Sequence, residues 1–245
     1  ILSTSKLLKD NIPQLLDANK IDLEKAKEKN ISASFLDRLT LNEKRIIDMC
    51  NGLIDISKLD DPIGRELDKW TRPNGLCISK VSVPLGVIGI IYESRPNVTI
   101  DAGSLCIKSG NSAILRGGSD SFQSSKLLTE IMQQGLEMAN LPKNTIQYIS
   151  TIDRNMVSHM LKASGYIDVI VPRGGKSLVS KIQNEARIPV FAHLEGICHV
   201  YIDHESDIKM AKKILINSKL RRTGICGAAE TVLIDKKVDF SFLSN

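Results

Sequence analysis

The chain is poor in aromatic rings: one Trp, four Tyr and five Phe in 245 residues. That leaves few platforms on which nucleic-acid bases could stack. It also lacks a block of single-sign charge. Its 33 Lys and Arg are interspersed with 28 Asp and Glu, giving a net charge of +5 without a basic stripe. Both features argue against a nucleic-acid partner. Cys50, Cys77, Cys106, Cys198 and Cys226 are odd in number, widely spaced and free of any CxxC pair. That pattern argues against a disulfide framework and a zinc ribbon, so no metal is expected, and it fits a reducing, cytoplasmic compartment. Long apolar runs are missing as well. The longest, VSVPLGVIGII at 81–91, is broken by Pro84 and two glycines, and no basic-then-apolar export segment opens the chain. A membrane partner is therefore not expected.

What is present is 42% hydrophobic residues, enough to bury a full core. Residues 1–57 carry apolar positions three and four apart, as in LNEKRIIDMCNGLI, and predict a layer of helices with solvated charge runs. Residues 58–83 change texture. Two strand-like pieces flank Pro73-Asn74-Gly75, predicting a β-ribbon. After Pro84 short apolar runs (GVIGIIY, SAILRG, TIQYIS, IDVIVP, IPVFAH) alternate with helical stretches, which predicts an α/β fold with a parallel, Rossmann-type sheet. CHVYID, DIKMAKKILINSKL and ETVLID then read as strand, helix and strand. The expected division is a cofactor-type domain over 1–203, including the 58–83 ribbon, and the beginning of a second α/β domain over 204–245. The chain starts at Ile1 and stops at SFLSN just after a strand, and it reads as a fragment.

Several short motifs bear on chemistry. RGG occurs at 116–118 and 173–175, each time between an apolar strand and a helix. Glycines there let main-chain amides approach a ligand, and the helix that follows offers a positive N-terminus, so both suit phosphate. Plain turn chemistry explains them equally well, since the full GxGxxG pattern is absent. Asn97, in ESRPNVTID, sits where a strand gives way to a helix that Thr99 is expected to cap, and its amide could donate to an oxyanion; ordinary turn structure is the alternative. His193, Cys198 and His199 lie close together but lack a metal-ligand spacing with a fourth partner. RRTGICGAAE sets Cys226 between two glycines, just after Lys219, Arg221 and Arg222. Cations and main-chain amides favour a thiolate, so Cys226 is the candidate nucleophile, with a buried loop cysteine as the alternative. The other four cysteines lie in apolar, periodic contexts and read as packing residues.

Taken together, PLGVIGIIYESRPNVTIDAGSLCIKSGNSAILRGGSD, IDVIVPRGG, EGICHVYID and RRTGICGAAETVLID resemble the γ-glutamyl phosphate reductases, or glutamate-5-semialdehyde dehydrogenases, of the aldehyde dehydrogenase superfamily. The resemblance implies an oxidoreductase of proline biosynthesis that uses NADPH to reduce L-glutamyl 5-phosphate to glutamate 5-semialdehyde and phosphate through a cysteine thioester. Cys226 matches the catalytic cysteine and Asn97 the oxyanion-hole asparagine. Arg116, Gly117, Gly118 and Ser119 match the segment that contacts the adenosine ribose, and Arg173, Gly174 and Gly175 the loop near the pyrophosphate. A neutral Ser119 beside Arg116 suits the 2′-phosphate of NADP. Arg222 is a further candidate for holding a substrate phosphate or carboxylate, with a solvent-facing role as the alternative. Hydrolytic relatives carry a glutamate base 33 residues before the cysteine, where this chain has His193, with Glu195 two residues on. A reductase wants no water activated against its thioester. The resemblance also implies homo-oligomers built through the ribbon and channelling from glutamate 5-kinase. It further implies that the rest of the catalytic domain lies outside this sequence, so an inactive remnant that keeps nucleotide binding stands as the alternative function.

Overall fold

The computed structural model describes residues 1–192, 196–223 and 225–238. His193 and Glu195, singled out above, lie outside the described residues, as does Gly224. The chain forms two compact units, Ile1–Ala192 and His193–Asn245.

The first unit opens with helices α1 (Leu2–Asp10), α2 (Ile12–Glu28), α3 (Ala33–Leu39) and α4 (Glu43–Lys58). Pro13 lies in the first turn of α2, where its missing N–H costs nothing, and the Asn42 side chain accepts from Arg45 N at 2.8 Å to cap α4. Their apolar stripes bury Leu8, Leu15, Ile46, Cys50 and Leu53. Strands β1 (Glu66–Thr71) and β2 (Cys77–Val81) then pair antiparallel as the expected ribbon. Its turn is closed by Gly75 N donating to Arg72 O at 2.9 Å, and Gly75 adopts φ +84°, which a side chain would resist.

The sheet that follows has the order β5-β4-β3-β6, all parallel. Its strands are β3 (Val87–Tyr92), β4 (Ser112–Arg116), β5 (Ile146–Tyr148) and β6 (Val169–Arg173). Between them run α5 (Asn97–Lys108), α6 (Phe122–Met138) and α7 (Asn155–Leu161), with α8 (Lys176–Glu185) after β6. Alternation along β3 feeds two cores. Ile88, Ile90 and Tyr92 join the N-terminal helices, α5 and α6, while Ile91 packs with Met160, Leu161, Ile170 and Ile182. Both faces are thus covered, which is why these strands read as unbroken apolar runs.

The expected strand IPVFAH is reduced to a single bridge between Val190 and Ile170. Ile170 N donates to Pro189 O and Phe191 N to Ile170 O, both at 2.9 Å, and Pro189 has no N–H with which to extend the ladder. In the second unit β7 (Cys198–Ile202) and β8 (Ala229–Ile234) pair in parallel across α9 (Ile208–Leu220), a βαβ unit. The sequence reading divides the domains after residue 203; the compact units part ahead of β7, since β7 pairs with β8. Among the described residues no helix is long and apolar enough to cross a membrane.

Candidate functional site

In an open parallel sheet, ligands gather at the carboxyl ends of the strands. Here the chain leaving β3 (Glu93, Ser94) and β4 (Gly117 to Asp120) lines a cavity of about 480 Å³ together with Arg116, Arg154 and Lys181. Of the residues proposed for the cofactor, Arg116, Gly117, Gly118 and Ser119 line it; Arg173, Gly174 and Gly175 are not among its lining residues. Gly118 has no room for a side chain: an added Cβ would lie 2.9 Å from Ser94 N and 2.5 Å from Ser94 Oγ. Two strand ends therefore approach closely at the cavity wall.

Arg116 is 4% exposed. One of its terminal nitrogens donates to Gly117 O and the other to Asp153 O, the latter at 3.3 Å, while its Nε has no hydrogen-bond partner among the described residues. A buried guanidinium held only by carbonyls, with a donor to spare, is a strong electrostatic demand for an acceptor in the cavity it lines. That is the feature of this wall that suits the phosphorylated ribose of a dinucleotide.

Each of the two helix N-termini after the RGG segments meets one of the protein's own carboxylates. Asp22, on α2, accepts from Ser124 N at 2.8 Å, Gln123 N at 3.1 Å and Ser124 Oγ at 2.7 Å, which caps α6. Burial pushes the Asp22 carboxyl up, and the Ser124 and Gln123 donors pull it back. Glu93 accepts from Gly175 N at 2.9 Å at the start of α8. A ligand phosphate at that amide would have to displace Glu93. Sequence reasoning saw the glycines and missed both carboxylates.

It also missed Asp120. This residue, next to Ser119, brings a carboxylate to the cavity, but Lys29 binds it at 2.6 Å and Ser94 Oγ donates to it at 3.4 Å. Its charge is thus largely met from α2.

Asn97 is exposed and begins α5 after Pro96. Its amide Nδ2 donates to Asp101 Oδ2 at 3.0 Å, one turn along the helix. Burial pushes the Asp101 carboxyl up against the lowering effect of that bond. Thr99 does not cap α5, contrary to expectation. It is wholly buried, and its hydroxyl bonds Tyr92 OH at 2.7 Å, because the helix begins two residues earlier and turns Thr99 toward the sheet.

Cys226 belongs to the second unit and is exposed, in a turn where Ala228 N donates to Ile225 O at 3.1 Å. The Sγ of half-buried Cys198 donates to the Cys226 carbonyl at 3.2 Å. Cys50 and Cys106 are buried as expected of packing residues, whereas Cys77 stands exposed on β2, since the ribbon is exposed along nearly all its length among the described residues. The ligating atoms of Asp203, His204 and Asp235 lie within 4.8 Å of one another at the ends of β7 and β8, a cluster with no forewarning in sequence spacing. Both carboxylates also accept from the backbone two residues on, at Glu205 N and Lys237 N, as strand-ending turns do.

Comparison with known proteins agrees with the α/β fold. Over 231 residues the chain is 59% identical to the γ-glutamyl phosphate reductase of Bartonella tribocorum, covering 94% of this chain and 56% of that protein. The crystal structure of the Thermotoga maritima γ-glutamyl phosphate reductase superposes with a TM-score of 0.93 at 40% identity, over 99% of this chain and 59% of that one. The Saccharomyces cerevisiae enzyme of the same name gives a TM-score of 0.72 at 35% identity, over 99% and 61%. The chain thus spans a little over half the length of the relatives it matches. The model of the aldehyde dehydrogenase family matches residues 6–245, the whole extent of both compact units save the first turn of α1, and the chain belongs to that family.

Proposed function

We propose that this protein is a γ-glutamyl phosphate reductase that converts L-glutamyl 5-phosphate to glutamate 5-semialdehyde and phosphate with NADPH. The observation that carries the reading is the likeness to the Thermotoga maritima reductase along 99% of the chain. Family membership supports a nicotinamide cofactor, and buried Arg116, with its spare Nε, supports a phosphorylated ribose in the β3–β4 cavity. Arg154 and Lys181 add positive charge to the wall, while Asp120 is clamped by Lys29, which favours NADPH over NADH. When bound, the reduced nicotinamide supplies the hydride that such a reduction needs.

The chain's own residues do the rest. Cys226, as the thiolate, attacks the acyl phosphate carbonyl; the carbon–oxygen bond to phosphate breaks and a thioester to Cys226 remains. Asn97 donates an amide N–H to the oxygen that gains charge as the tetrahedral species forms and again when the thioester is reduced. One N–H of that amide is already held by Asp101, which orients the other. Collapse of the resulting thiohemiacetal frees the aldehyde and regenerates Cys226.

The β1–β2 ribbon exposes Leu67, Trp70 and Val81. A lone two-stranded ribbon with bare apolar groups is marginal in water, which supports a homo-oligomer joined through it. Five free cysteines suit a cytoplasmic location, and the acyl phosphate would come from a kinase acting on glutamate. The test is NADPH oxidation on addition of glutamyl phosphate made in situ. Turnover supports the reading. NADPH binding without turnover would favour the inactive remnant, and the absence of both binding and turnover would overturn the assignment of the cavity.

A further inference from the structure

We propose that Cys198 and Cys226 form an oxidant-responsive pair, in which Cys198 is the resolving thiol that captures peroxide-oxidised Cys226 as a disulfide. The inference rests on the reading of Cys226 as a reactive thiolate and extends it to a second residue. Strand pairing sets the two cysteines together: β7 begins at Cys198, whose partner on β8 is Ala229, three residues after Cys226. The Cys198 Sγ already donates to the Cys226 carbonyl at 3.2 Å. Since a carbonyl oxygen lies about 2.4 Å from its own Cα, the Cys198 sulfur is within about 6 Å of the Cα that carries the second thiol.

Disulfides join Cα atoms about 4.4–6.8 Å apart, so closure asks for a swing of the 225–228 turn and leaves the β7–β8 ladder in place. The turn has open space beside Gly227. A Cβ added at Gly227 would meet only Ile225 Cδ1, at 4.0 Å. The register is already irregular between Cys198 and His199, at the strand's first residue. Neither buried cysteine competes, for burial pushes the Cys50 thiol up and that of Cys106 to about 11.

The chemistry balances with hydrogen peroxide as oxidant. The Cys226 thiolate attacks one peroxide oxygen, the O–O bond breaks, and Cys226 becomes a sulfenic acid as hydroxide leaves. The Cys198 sulfur then attacks the sulfenyl sulfur, and the S–O bond breaks. The departing hydroxide takes the Cys198 proton as water. Two thiols lose two electrons to make one disulfide, and one peroxide becomes two waters. The disulfide blocks the nucleophile reversibly and shields it from the irreversible sulfinic and sulfonic acids.

The test is peptide mapping of the protein after hydrogen peroxide and alkylation, in the parent and in Cys198→Ser. The parent should yield a dithiothreitol-reversible link between tryptic peptides 188–209 and 223–236, which contain the two cysteines. Recovery of free Cys226 thiol on reduction should be roughly tenfold greater in the parent than in Cys198→Ser, where Cys226 runs on to sulfinic acid. If parental Cys226 oxidises to sulfinic acid without the link, the pairing is overturned while the nucleophile reading stands. If Cys226 resists both peroxide and alkylation, the nucleophile reading falls, and the pair with it. The mapping of the parent decides the matter even if the variant folds poorly.

Discussion

A guanidinium that is 4% exposed costs several kcal/mol to desolvate, and two main-chain carbonyls do not repay that in full. The Nε of Arg116 has no hydrogen-bond partner among the described residues, and the residue lines the proposed cofactor cavity. Arg116→Gln should therefore weaken NADPH binding by about tenfold to hundredfold, the worth of one charge-assisted hydrogen bond, as read by fluorescence titration. Asp101 makes a separate prediction. Its folded pKa is raised above 3.8 by burial, so its contribution to stability is fully present below that pH and is lost as pH rises through the folded value. Asp101→Asn keeps an acceptor for Asn97 and removes the titration. The stability difference in favour of the variant should grow as pH climbs above about 3.8 and then level off. Urea midpoints across that range check it, and a flat difference would contradict it. The residues that matter at this scale were partly legible. Asn97 and Cys226 stand out by type and setting and Arg116 by resemblance, but Glu93, Asp22 and Lys29 did not, because their partners lie 82, 101 and 91 residues away in sequence.

Helices and strands were read well wherever burial is one-sided or complete. β3, β4 and β6 announce themselves as apolar runs because both sheet faces are covered, and α4 announces itself by its apolar stripe. The errors are instructive. IPVFAH has the composition of a strand, yet Pro189 limits it to one bridge, and Thr99 has the chemistry of a cap but lies inside α5. The α6 cap is supplied from α2. Asp22→Ala orphans three donors, two of them buried, and should cost about 1–3 kcal/mol of unfolding free energy in urea titrations. At the ribbon, Trp70 is 42% exposed. If the ribbon joins subunits, Trp70→Glu should lower the molar mass seen by light scattering while leaving the far-ultraviolet circular dichroism unchanged.

For the molecule as a whole, the fold class was legible because helix and strand alternate at the spacing a parallel sheet requires. The division into units at 192 and 193 was not, because strand pairing and not composition decides which sheet β7 joins. Asn97 belongs to the first unit and Cys226 to the second. The most direct measurement is the phosphate-dependent reduction of NADP by glutamate 5-semialdehyde, made on the parent and on Cys226→Ala. The account predicts turnover in the parent, a loss of about a thousandfold or more in the variant, and unchanged NADPH binding in both. Turnover in Cys226→Ala at the parental rate would contradict it.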